Sequence, residues 1–183
     1  MNYYGAKELA ESFRTVRNNT ILTAQDIPED KYAFSAAEGT RTIEKMLTHI
    51  ALGHRFQLWF HAVEKRTNFD GFDFPMLFAE FMAEEAKPRT KSEVIALLKE
   101  IGEAWAQFVE GASEEFLSET VHMPAGSTPA AKSRFEMILS VKEHEMHHRA
   151  QLMVQQRLLG IVPHLTRRRE EMMAQMRAQS AKQ

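Results

Sequence analysis

The stretch KEHEMHHRAQL, residues 142–152, places three of the chain's eight histidines within five positions: His144, His147 and His148. Near neutral pH imidazole can act as a base, a proton carrier or a metal ligand. Which role it takes depends on where each ring points. In an α-helix, positions four apart lie one turn above each other and about 40° apart around the axis. His144 and His148 therefore share a face and can reach one point, as two helical histidines do around zinc. His147 lies about 60° from His144 and about 100° from His148, so it is a poorer third ligand. The same face continues through Met137, Val141, His144, His148 and Leu152, an apolar stripe that turns the pair inward. Two core histidines bonded to Ser, Glu or water are the structural alternative. Buried imidazoles need partners for their nitrogens, and a divalent cation satisfies both at once.

A third ligand must come from another helix, and His49 is the best candidate. It shares an inward stripe with Met46, Gly53 and Phe56. His54 and His61 stand about 140° and 120° away from His49 around that helix and are expected to face solvent. His122 and His164 follow or adjoin prolines and read as surface residues, and Glu143 and Glu145 read as surface charge. Gln151 is about 20° from His144, so it can orient a ligand or a water behind the metal. Arg149 turns about 140° away and reads as structural. Three neutral imidazoles leave open metal positions, the arrangement of a catalytic rather than a closed structural site. Such a metal lowers the pKa of what it binds and makes a nucleophile at neutral pH.

These residues need long helices to position them. Ala6, Leu9, Phe13 and Val16 mark an amphipathic helix over about 5–24, followed by the loop QDIPEDKYAFSAAEGT. A second helix is expected from about Thr40 to Lys65. TNFDGFDFPMLFAEFMAEEAKPR reads as a long connection with a short helical piece around Met76–Glu85. Thr90 and Glu93 have capping-box spacing and open a third helix, which runs to about Glu110 and stops at Gly111. Thr128 and Pro129 have the pattern of an N-cap and first-turn proline for a fourth helix ending near Leu159, before Gly160 and Pro163. The fold class is all-α: a helical bundle in a single domain over 1–183, with its core at about 5–163 and a charged tail at 164–183. That tail, with Met172, Met173 and Met176, reads as a solvated helical end, with a partner contact as the alternative.

Composition excludes several classes. The net charge is −2, which argues against a general nucleic-acid binder. There is no cysteine, so no disulfide, thiolate metal site or catalytic cysteine is available. No apolar run approaches a membrane span, and the N-terminus lacks the apolar core of a signal peptide. The expected setting is cytoplasmic.

An inward histidine on the second helix, followed by H-x-x-H-H-R-x-Q on the last bundle helix, resembles the DinB/YfiT-like superfamily of metalloenzymes. The matching stretches are His144-Glu-Met-His147-His148-Arg149-Ala150-Gln151 and, upstream, MLTHIALGHRFQ with His49 in the ligand-like position. The resemblance runs from about Leu9 to Arg168. It implies a four-helix bundle in up-down-down-up order. It also implies a divalent ion such as zinc or nickel, with iron or cobalt also suited, held by His49, His144 and His148. Homodimers are common among members, and characterised relatives transfer low-molecular-weight thiols to electrophiles. Two positions depart from the pattern: Ala150 stands where glycine is common, and Glu143 where asparagine is frequent. Two functions follow as expectations. The first is a metal-dependent enzyme that activates a thiol or water against a small electrophile. The second is a non-catalytic, metal-binding or stress-related bundle that acts through binding.

Overall fold

The computed structural model describes residues 4–180, so the last three residues of the expected tail lie outside it. Four long helices form the bundle: α1 (Ala6–Asp26), α2 (Ile43–Leu58), α4 (Lys91–Glu110) and α6 (Arg134–Leu158). A π-helical turn, Trp59–Val63, prolongs α2. The shorter helices are α3 (Phe74–Ala86) and α5 (Glu114–Ser118), and α7 (His164–Ser180) follows the bundle. Side-chain pairings fix the directions. Arg17 on α1 bonds the Leu98 carbonyl and Lys91 the Gln25 carbonyl, so α1 and α4 are antiparallel. Lys142 reaches Ser12, and Arg149 reaches the Val16 carbonyl, so α6 runs parallel to α1. His49 faces His144, while His61 near the end of α2 faces Arg134 at the start of α6, so these two helices are antiparallel. The order is up-down-down-up, as expected. Around the bundle the helices follow α1, α4, α2, α6, which puts consecutive α1 and α2 on a diagonal.

Local chemistry explains the helix ends. The Thr90 hydroxyl accepts the Glu93 N–H, and the Glu93 carboxylate accepts the Thr90 N–H at 2.7 Å, which completes the capping box. α6 ends in a Schellman motif: Ile161 N–H bonds the Gln156 carbonyl, Gly160 N–H bonds the Arg157 carbonyl, and Gly160 takes a φ of 75°. Its start differs from expectation. Thr128 and Pro129 lie in a loop, and Ser133 is the N-cap, accepting from the Glu136 N–H at 3.1 Å. The delay arises because residues 131–133 are extended. They form β2 (Ala131–Ser133), antiparallel to β1 (Thr120–His122), a small ribbon that the sequence pattern did not reveal.

Two histidines expected at the surface are in the core: His54 is 1% exposed and His61 0%. The reason is the position of α2. It packs on α4 along one side and α6 along another, so it buries two faces rather than one stripe. Glu145, expected as surface charge, is likewise fully buried, because α6 packs on α1 as well as α2. His122 is exposed as expected. His164 is partly buried and sits 3.2 Å from the Asn19 amide oxygen.

α1 and α4 pack tightly at Gly102. A Cβ there would lie 2.8 Å from Arg17 Cγ, and the Arg17 side chain is held in place by Glu145 and the Leu98 carbonyl. Gly102→Ala gains helix propensity of about 1 kcal/mol but overpacks a fixed side chain, at a cost of about 1–3 kcal/mol. The variant is expected to unfold at lower denaturant concentration than the parent. A higher midpoint would contradict the close packing.

Candidate metal centre

The three histidines singled out by spacing converge. α2 supplies His49 and α6 supplies His144 and His148, one turn apart. His144 Nε2 lies 3.2 Å from His49 Nε2 and 3.0 Å from His148 Nε2. One nitrogen from each ring falls within a sphere in which all lie within 4.8 Å of one another, the only such group of three or more metal-ligating side chains among the described residues. Tetrahedral zinc at about 2.0–2.1 Å from each nitrogen separates its ligand atoms by about 3.3 Å. The observed spacing fits such an ion.

The far sides of the rings explain why these nitrogens are free to bind. His49 Nδ1 donates to Glu85 Oε2 at 2.9 Å, and His148 Nδ1 donates to Gln151 Oε1 at 2.8 Å. Each bond places the proton on Nδ1 and turns the Nε2 lone pair inward. A carboxylate or amide behind a metal-binding imidazole is the usual arrangement of such sites. Arg41 Nε donates to the other Glu85 oxygen at 2.6 Å and holds the carboxylate in place. His147 does not join the cluster. It is exposed, and its Nε2 lies 3.2 Å from the Gln151 amide nitrogen, so it helps hold the residue behind His148. Gln151 therefore stands directly behind the His148 ring. Glu85 was missed, because it lies in a segment read chiefly as a connection. It is the one buried residue of α3, and nothing in its spacing marks it.

Electrostatics favour the neutral rings that a cation requires. Burial, reinforced by the neighbouring His148 and His49, pushes His144 down to about 4. Burial also lowers His49, partly offset by its bond to Glu85, and lowers His148, partly offset by Gln151. All three are neutral imidazoles at neutral pH, each with one ring proton.

A buried polar network sits behind the cluster. Arg17 bonds both oxygens of Glu145 at 3.0 to 3.2 Å, and its Nη2 lies 3.0 Å from His54 Nδ1. His54 Nε2 is 3.3 Å from Glu145. His54 Nδ1 also lies 3.0 Å from the Ile50 carbonyl: an Nε2–H tautomer serves Arg17 and Glu145, and an Nδ1–H tautomer serves Ile50. Burial, with Arg17 adding to it, holds His54 down at about 3. Arg17, His54 and Glu145 come from α1, α2 and α6, and Arg17 also bonds α4 through Leu98. The sequence did carry a signal for this. Arg17 is four residues from Phe13, and Glu145 is four from Val141 and seven from Leu152, so both lie on apolar stripes. Arg149 donates to the Val16 carbonyl, the structural role expected of it.

Two cavities meet the cluster from opposite sides. One, of about 430 Å³, is bounded by His49 and His144 and walled chiefly by phenylalanines. The other, of about 780 Å³, is bounded by His148, Gln151, Arg41, Lys45 and Glu85. The trio thus has open approaches, unlike a sealed structural site. No helix among the described residues is long and apolar enough to cross a membrane.

Known proteins agree with this architecture. YjoA, an uncharacterized protein of Bacillus subtilis, is 24% identical over 155 residues, which cover 85% of this chain and 91% of YjoA. The crystal structure of YjoA, described as DinB-like, superposes with a TM-score of 0.61 at 23% identity, over 84% of this chain and 92% of that one. YfiT from Bacillus subtilis superposes with a TM-score of 0.65 at 15% identity, over 88% of this chain and 91% of its own. It is described as a probable metal-dependent hydrolase with an unusual four-helix bundle topology. The profile of the DinB family matches residues 1–180, nearly the whole chain, and the protein belongs to that family.

Proposed function

We propose that this protein is a divalent-metal-dependent enzyme acting on a small molecule, with His49, His144 and His148 holding the ion. The observation that carries the reading is the locking of two rings. Glu85 and Gln151 each fix a proton on Nδ1, so the Nε2 atoms of His49 and His148 are both acceptors. His144 has one proton at most to offer two acceptors. A divalent cation satisfies all three, which makes it the better occupant. Zinc and nickel both suit three imidazoles.

Bound there, such an ion would supply a water or thiol acidified enough to attack an electrophile at neutral pH. The chain's own residues divide the remaining work. His49 and His148 are oriented by Glu85 and Gln151, and Arg41 neutralises Glu85. No carboxylate lines the cavity beside His49 and His144, so no side-chain carboxylate is available there as a base. Hydrolysis and thiol transfer both fit this arrangement. The description of YfiT as a probable metal-dependent hydrolase supports the first, and the family resemblance in the sequence supports the second.

Elemental mass spectrometry on untagged protein is expected to find about one divalent ion per chain. His49→Ala and His148→Ala should each lose most of it. His122→Ala, at an exposed histidine outside the cluster, should keep it. Equal metal content in all the variants would rule the site out, and metal without turnover of any hydrolytic or thiol-transfer substrate would leave a binding protein. Glu85→Ala removes the carboxylate behind His49 and is expected to weaken zinc binding roughly 10- to 100-fold. Calorimetric titration checks this, and an unchanged affinity would show that Glu85 does not orient the ring.

A further inference from the structure

Charge is divided unevenly across the three histidines. The cavity beyond His148 carries Arg41, Lys45 and Glu85. The cavity beside His49 and His144 has no charged side chain in its lining. Its walls are Phe56 from α2, Val141 from α6, and Phe74, Leu77, Phe78 and Phe81 from α3. Its volume of about 430 Å³ is at the small end of the range that holds small ligands, roughly 300–1,000 Å³. Two further polar side chains line it. Ser140 already donates to the Met137 carbonyl at 2.6 Å. Gln57 is different: its Oε1 is buried and has no hydrogen-bond partner among the described residues. That oxygen is shielded from solvent, so it offers the cavity no polar contact.

α3 adds a second reason. It buries only Glu85 and leaves Phe74 at 45% and Phe78 at 67% exposure along the cavity. Apolar surface that lines a pocket and stays in water gains from being covered. Gly53 also keeps the α2 wall bare: a Cβ there would meet His144 at 3.6 Å.

Building on the metal-dependent reading, we propose that this cavity seats the uncharged alkyl or aryl part of the substrate. The reacting end meets His49 and His144. Charged parts of reactants are directed to the opposite cavity, where Arg41 and Lys45 stand.

The test uses the full chain without metal, so that it reads the cavity and not the ion. Binding of 3-phenylpropanol and of its charged analogue 3-phenylpropionate is measured by calorimetry or ligand-observed NMR at pH 7.5. The alcohol should bind about tenfold or more tightly than the carboxylate, because the apolar walls cannot solvate a charge. Leu77→Asp should weaken alcohol binding by about tenfold or more. Val154→Asp, on an exposed position facing the opposite cavity, should leave it unchanged. Equal binding of alcohol and carboxylate, no binding of either, or indifference to Leu77→Asp would overturn the proposal. Zinc and nickel uptake by the parent chain and each variant is measured in parallel. A parent chain that takes up zinc but, without metal, fails to bind the alcohol would refute the cavity's role and leave the metal-dependent reading intact. Selective alcohol binding by a protein that takes neither zinc nor nickel would support the apolar seat and refute the metal-dependent reading.

Discussion

Three imidazole nitrogens held 3.0 and 3.2 Å apart inside a bundle have more lone pairs than protons to share. Bonds on their far sides set this condition. With Nδ1 of His49 committed to Glu85 and Nδ1 of His148 committed to Gln151, both inward nitrogens are acceptors. Burial then keeps the rings neutral, pushing His144 down to about 4. Without a cation the arrangement leaves at least one acceptor unanswered. The helix ends, the diagonal placement of α1 and α2, and the position of α3 all serve to bring these few atoms together.

The Arg17–Glu145–His54 network bears on the same point from behind. Glu145 adjoins His144, and its carboxylate is gripped by Arg17, which also reaches α2 and α4. A buried pair of this kind is weak evidence for stability, because desolvation offsets much of its attraction. Its value here lies in register. A slide of α6 along α1 or α2 by one residue would strand a buried carboxylate and a buried guanidinium, a cost of about 3–5 kcal/mol. The network therefore penalises any arrangement in which His144 and His148 miss His49. At the start of α6 the buried Arg134 similarly links the buried His61 to Glu119, whose carboxylate is exposed.

Much of this was legible in the sequence, for physical reasons. His144 and His148 share a helical face by spacing alone, and His49 lies on the inward stripe of α2. The capping box at Thr90 and the stop at Gly160 are local chemistry that tertiary context left alone. Three misreadings share one cause. The helices were treated as having one buried stripe, whereas α2 and α6 each pack against two neighbours, so His54, His61 and Glu145 are interior. The start of α6 was misplaced because Thr128–Pro129 has the local pattern of a helix start, while pairing of residues 131–133 with β1 decides the outcome. Glu85 could not be found from spacing. Its role depends on α3 folding back over α2, and no residue pattern in that segment shows this.

The account stands on the claim that one divalent ion sits among His49, His144 and His148. X-ray absorption spectroscopy at the metal's K-edge, on protein loaded with zinc, tests it most directly because it reads the ligand atoms themselves. The account predicts three imidazole nitrogens at about 2.0–2.1 Å with the remaining position filled by a light oxygen donor. A spectrum dominated by water or carboxylate oxygens, with one imidazole or none, would contradict it.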